Sequence, residues 1–148
     1  MKKLAKAAAL ALLTASFVIP SDALAASSQT SSNVVSPAST TTQILSVSGL
    51  GGSDGYVDSK YFYVNTPATL SFTVTQVHNL SSRTANVSYK VLRDNPDGTA
   101  TFWGYAKFAG NGTFTFTSDP NLPVGQYYVR ADSSEQGRTA ITVSVTIP

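Results

Sequence analysis

The sequence predicts an all-β fold, an antiparallel β-sandwich of roughly seven to eight strands. Three observations carry that expectation. From Gln43 onward, apolar side chains alternate with Thr, Ser and Lys in one short run after another. Gly, Pro, Asn and Asp clusters separate the runs at spacings of about 8 to 12 residues, as in sandwiches and barrels. Beyond the N-terminal segment, no stretch shows the i, i+3, i+4 spacing of an amphipathic helix.

The chain opens with a basic start at Lys2, Lys3 and Lys6, followed by the Ala- and Leu-rich run Ala7 to Pro20 and a small-residue exit at Ala23 and Ala25. That order is the pattern of a secretory signal peptide over residues 1–25. The apolar run is shorter than the ~20 residues of a membrane span, so no span is expected once the signal is cleaved. Residues 26–42 are Ser, Thr, Gln and Asn with few apolar side chains, too few to offset their conformational entropy on ordering. They read as a flexible tether, and residues 43–148 as the β-sandwich domain.

The full chain has a net charge of +2. That excess belongs to residues 1–25; the cations and acids of the remaining chain balance. No basic patch points to nucleic acid and no acidic block to a cationic partner. The chain has no Cys, so a secreted domain would be held by its apolar core alone. This fits a bacterial extracellular protein. Nothing in the sequence sets an oligomeric state.

Within the domain, Gln43 to Ser48 reads as a first strand, followed by the Gly-rich stretch Gly49 to Gly55. Tyr56-Val57 and Tyr61 to Val64 are short strand candidates ahead of the Asn65-Thr66-Pro67 turn. Leu70, Phe72 and Val74 then alternate with polar residues, as do Ala85, Val87, Tyr89 and Val91. His78 to Arg83 between them reads as a loop. Asn95-Pro96-Asp97-Gly98 is a hairpin signal, because Pro96 presets the turn dihedral and Gly98 accepts positive φ.

In the next strand, Ala100, Phe102, Gly104, Ala106 and Phe108 share an inward face and Thr101, Trp103, Tyr105 and Lys107 an outward one. Gly110-Asn111-Gly112 forms a second tight turn, after which Phe114 and Phe116 alternate with threonines. Two consecutive tight turns predict three successive strands in one sheet. Tyr127, Val129 and Ala131 point inward and Tyr128 and Arg130 outward. Ile141, Val143, Val145 and Ile147 complete the core pattern.

The stretch Leu122-Pro123-Val124-Gly125-Gln126-Tyr127-Tyr128-Val129-Arg130 resembles the penultimate strand of bacterial immunoglobulin-like and fibronectin-III-like domains. In those domains a Leu-Pro-x-Gly turn precedes a Tyr that anchors a corner between sheets. The resemblance covers the C-terminal strands and implies a β-sandwich ending on Arg138 to Ile147. More generally, the chain resembles small secreted Bacillus-type proteins.

No catalytic motif is visible. The single His, His78, reads as a solvated loop residue, and no paired-carboxylate or phosphate-cradling motif supports an enzyme. No cofactor is expected. The Gly-rich loop carries Asp54 and Asp58, which together suit a calcium site in a flexible loop or simply a turn built on its glycines. Exposed aromatics carry the main functional expectation. Trp103, Tyr105, Tyr128 and Arg130 on an outer sheet face would bind a polysaccharide or a protein, provided their two strands share a sheet; the alternative is that Trp103 packs under the N-terminal segment or the Gly49–Asp58 loop. The sequence thus points to a non-enzymatic secreted binding module. The alternative is a small calcium-binding or inhibitor-type protein acting through the Gly-rich loop.

Overall fold

The computed structural model describes residues 38–51, 55–133 and 138–148. The expected signal segment, most of the tether and Asp54 lie outside the described residues.

The described residues form nine strands: β1 (Thr40–Leu50), β2 (Tyr56–Asp58), β3 (Phe62–Val64), β4 (Ser71–His78), β5 (Asn86–Asp94), β6 (Ala100–Ala109), β7 (Gly112–Thr117), β8 (Gly125–Asp132) and β9 (Thr139–Ile147). Sheet A has the order β1-β9-β4-β7, and sheet B the order β2-β8-β5-β6 with β3 also paired to β8. All pairings are antiparallel. No helix occurs among the described residues, and the two sheets face each other as a β-sandwich, as expected.

Alternation accounts for the core. Phe72 and Val74 of β4, Val87, Tyr89 and Val91 of β5, Tyr127, Val129 and Ala131 of β8, and Ile141, Val143 and Val145 of β9 are buried in one cluster. Aromatic rings bridge the layers. Phe108 of β6 stacks on Phe114 of β7 at 4.7 Å between centroids, and Phe62 of β3 meets Phe72 of β4 edge-on at 6.1 Å. The Tyr127 hydroxyl donates to the Pro123 carbonyl at 2.6 Å, so the expected tyrosine corner is present.

The topology is not that of an immunoglobulin domain. The strands pair as one long hairpin folded at the β5–β6 turn: β5 with β6, β4 with β7, β2 and β3 with β8, and β1 with β9. This nested pairing is the jelly-roll arrangement. In an immunoglobulin sandwich the last two strands share a sheet; here β8 and β9 lie in opposite sheets. A local resemblance around Tyr127 does not report where the next strand goes.

The three-strand meander is overturned, because β6 belongs to sheet B and β7 to sheet A. Gly110 and Gly112 take φ of 119° and 146°, which glycine reaches without strain. The Asn111 carboxamide then holds the crossing. Its Oδ1 accepts from the His78 and Ala85 amides at 2.9 and 3.0 Å, and its Nδ2 donates to the Arg83 carbonyl at 3.2 Å. Gln76, fully buried on the inner face of β4, donates through Nε2 to the carbonyls of Phe108 and Gly110 and accepts through Oε1 from the Tyr89 hydroxyl. The turn is tight, but its hydrogen bonds run to strand β4 of the opposite sheet and to the segment that leads into β5.

Burial raises the Tyr89 hydroxyl well above the usual tyrosine pKa, and Tyr127 and Tyr128 are raised for the same reason. An unfolded chain releases these protons near pH 10 while the folded chain keeps them. The linked stability is therefore complete below about pH 10 and is lost as pH climbs above it. Denaturation midpoints measured from about pH 8 to about pH 11 should fall on the alkaline side, and Tyr89→Phe should flatten the fall. An unchanged slope in that variant would remove Tyr89 as a cause.

Candidate functional site

The outer face of sheet B collects the exposed aromatic rings. Register places Leu92 between Tyr128 and Phe102, Lys90 between Arg130 and Tyr105, and Asp58 beside Arg130. Tyr63 lies beside Gln126 and Tyr56 beside Asp132. Directly opposite residues in such ladders have Cβ atoms about 5 Å apart. Tyr56, Tyr61, Tyr63, Phe102 and Tyr105 are all exposed. They stand in two groups, one over β2 and β3 and one on β6, with Tyr128 and Arg130 of β8 and Lys90 and Leu92 of β5 between them. Three strand spacings separate the groups, about 14 Å.

The strands β6 and β8 do share a sheet, so the condition for one aromatic face is met. Tyr105 lies where the sequence places it. Tyr128 is on the outer face but only 8% exposed, because Tyr61 packs edge-on against it at 5.5 Å between centroids. Arg130 is on the same face. Its Nε and Nη2 donate to the two carboxylate oxygens of Asp58 at 2.7 and 2.8 Å, and its guanidinium lies 4.2 Å from the Tyr56 ring centroid. The hydrogen bonds from Arg130 to Asp58 raise the Arg130 pKa further above its ordinary value. A planar guanidinium held at both ends in this way fixes the Tyr56 ring beside it.

Trp103 is the correction. It is half-buried and packs against the core cluster, while Phe102 is exposed on the outer face. The cause is a β-bulge. Lys90 pairs with Tyr105 and Leu92 with Phe102, so Trp103 and Gly104 together oppose Val91. One extra residue reverses the alternation upstream of it. Thus Phe102, assigned to the core by simple alternation, faces solvent, and Trp103 turns in. Tyr105 and Phe108, downstream of the bulge, keep their expected sides. Gly104 is the visible signal: an isolated glycine inside a strand pattern marks a bulge or a close backbone approach.

One other expectation changes. His78 ends β4 and is 3% exposed, not a solvated loop residue. Its Nδ1 accepts from the Leu80 amide at 3.0 Å and its Nε2 has no partner, so among the described residues its ring meets neither a hydroxyl nor a carboxylate. Both Asp58 oxygens accept from Arg130, and Asp54 lies outside the described residues. Among the described residues no three His, Asp or Glu side chains gather as metal ligands.

No family model matches the chain. No curated protein matches it either. Among solved structures, the chain is similar to a CBM4 structure at 12% identity and a TM-score of 0.47, over 73% of this chain and 68% of that one. It is also similar to the CBM36-1 domain of a multidomain xylanase from the hindgut metagenome of Trinervitermes trinervoides, at 13% identity and a TM-score of 0.44, over 75% and 98% of the two chains. A protein from Sulfurospirillum deleyianum is 14% identical with a TM-score of 0.41, over 76% and 99%. Likenesses this distant say nothing about ligand or activity.

The bulge that sets the face depends on Gly104, whose φ is 150° and whose missing Cβ would sit 3.1 Å from the Ser118 Cα. Gly104→Ala should destabilise the fold by about 1–3 kcal/mol, read as a lower urea midpoint. An unshifted midpoint would show that the bulge does not require glycine.

Proposed function

We propose that this chain is a secreted, non-enzymatic binding module that takes a polysaccharide on the outer face of sheet B. One observation carries the reading: every exposed aromatic ring among the described residues, Tyr56, Tyr61, Tyr63, Phe102 and Tyr105, stands on that single face. Large aromatics scattered singly need no explanation, but a set gathered on one face does.

The chemistry suits sugar rings. Aromatic faces stack on the apolar faces of pyranoses, and tyrosine hydroxyls reach the hydroxyls at the ring edge. Between the two aromatic groups, Lys90 and the Arg130–Asp58 pair offer donors and acceptors already ordered by the ladder. An open sheet face suits an extended polymer better than a small ligand, which prefers a concave pocket. Secretion is supported by the pattern of residues 1–25. The Asp54/Asp58 calcium reading loses support, because Asp58 already gives both oxygens to Arg130.

The reading is tested by retardation of the purified chain in gels containing soluble xylan or β-glucan, with pull-down on insoluble cell wall. The double variant Phe102→Ala/Tyr105→Ala should weaken retention at least about tenfold with an unchanged circular-dichroism spectrum. Absence of retention by the wild-type chain on all these polymers, or equal retention by the double variant, would refute the proposal.

A further inference from the structure

We propose that the free edge of β7 pairs with β7 of a second copy of this chain, joining two A sheets into one eight-stranded sheet. The four exposed edges of the sandwich differ in how they are guarded. At one edge of sheet B, β6 carries the Trp103–Gly104 bulge and Lys107; at the other, β2 and β3 are three residues each and interrupted. On sheet A, β1 has two register irregularities, between Gln43 and Leu45 and between Val47 and Leu50. Bulges, charges and short strands are the means by which edges avoid pairing. β7 has none of them. It runs in unbroken register along β4 from Gly112 to Thr117, and its other edge makes no backbone hydrogen bond among the described residues.

The residues of β7 fit their own copy. Thr113-Phe114-Thr115-Phe116-Thr117 reads the same in both directions. Two such strands paired antiparallel about a two-fold axis at Thr115 place Thr113 against Thr117, Phe114 against Phe116, and Thr115 against Thr115. Thr–Thr and aromatic–aromatic pairs are favourable cross-strand neighbours, and a two-fold contact repeats each off-axis pair on both sides of the axis. No like charges oppose the approach, because β1, β4, β7 and β9 contain no Lys, Arg, Asp or Glu. Phe114 and Phe116 are half-buried at the rim of the core, and the partner's rings would cover their open sides.

The second copy is favoured over an unrelated peptide because self-pairing about Thr115 opposes Thr to Thr and Phe to Phe along the whole strand. Thr115 lies on the exposed outer side, so it can be changed without disturbing the core.

The experiment is sedimentation equilibrium of the purified chain over a concentration series, with charge variants at the proposed axis. The wild-type chain should dimerise. Thr115→Lys alone and Thr115→Glu alone should each weaken dimerisation at least about tenfold by placing like charges opposite, and an equimolar mixture of the two should restore it. Because the chain has no Cys, a second readout is clean. Thr115→Cys should form a disulfide-linked dimer on oxidation, since directly opposed residues lie within disulfide reach. Thr113→Cys should not, because its partner is Thr117. A wild-type chain that stays monomeric, a Thr115→Lys dimer of wild-type strength, or crosslinking of Thr113→Cys as readily as Thr115→Cys would each overturn the proposal.

Discussion

The carboxamide of Gln76 is the constraint on which the arrangement of the two layers depends. It is a fully buried polar group on a strand of sheet A, and each of its hydrogen bonds leaves that sheet. An unpaired amide in an apolar interior is costly, so the carbonyls of Phe108 and Gly110 and the Tyr89 hydroxyl have to arrive where they do. That requirement sets the end of β6, the start of the crossing and the position of β5 together. Asn111 does the same for the outer side of the crossing, tying the end of β4 to the approach of β5. Together the two amides turn a short turn that could have closed a hairpin into a passage between sheets.

Once β7 has crossed, the chain retraces its path, and the partners nest. This leaves the two outer faces with different chemistry. Sheet A shows Thr and Ser side chains across all its strands, with Thr41 bonded to Thr146 and Thr75 to Thr113 through their hydroxyls. Sheet B gathers the rings and the ion pair. The difference starts in the alternation of each strand: the outward positions of β4, β7 and β9 are filled mainly by Ser and Thr, and those of β2, β3, β6 and β8 mainly by aromatics and charges. The same core therefore backs one face suited to stacking and another that is neutral and hydroxylated.

Period-two alternation makes most of this core legible in the sequence. Phe72, Val74, Val87, Tyr89, Val91, Tyr127, Val129 and Ala131 all lie where their spacing puts them. Alternation does not report whatever depends on counting through an irregularity or on partners far along the chain. It misplaces Trp103 because the bulge at Gly104 adds one residue, and one residue is enough to exchange the faces. Phe102, the ring that belongs to the outer face, is lost to the core by the same slip. The Gly110–Gly112 turn reads locally like a hairpin, since nothing within it shows that Gln76 will claim its carbonyl. His78 resembles a loop residue because polar residues follow it, and its burial accompanies the Asn111 contact to its own amide. The Tyr127 corner is legible, yet the strand after it goes to the other sheet. That choice rests on pairing with β1 and β4, which lie far upstream in the chain.

The place of β9 has a kinetic consequence. In sheet A it is not an edge strand; it separates β1 from β4. Until the residues from Thr139 onward are available, β1 has no neighbour in its sheet and β4 has only β7. The central pairings therefore join segments far apart in sequence, the class of contact that makes folding slow. A chain emerging from its N-terminus would hold sheet A open until β9 followed.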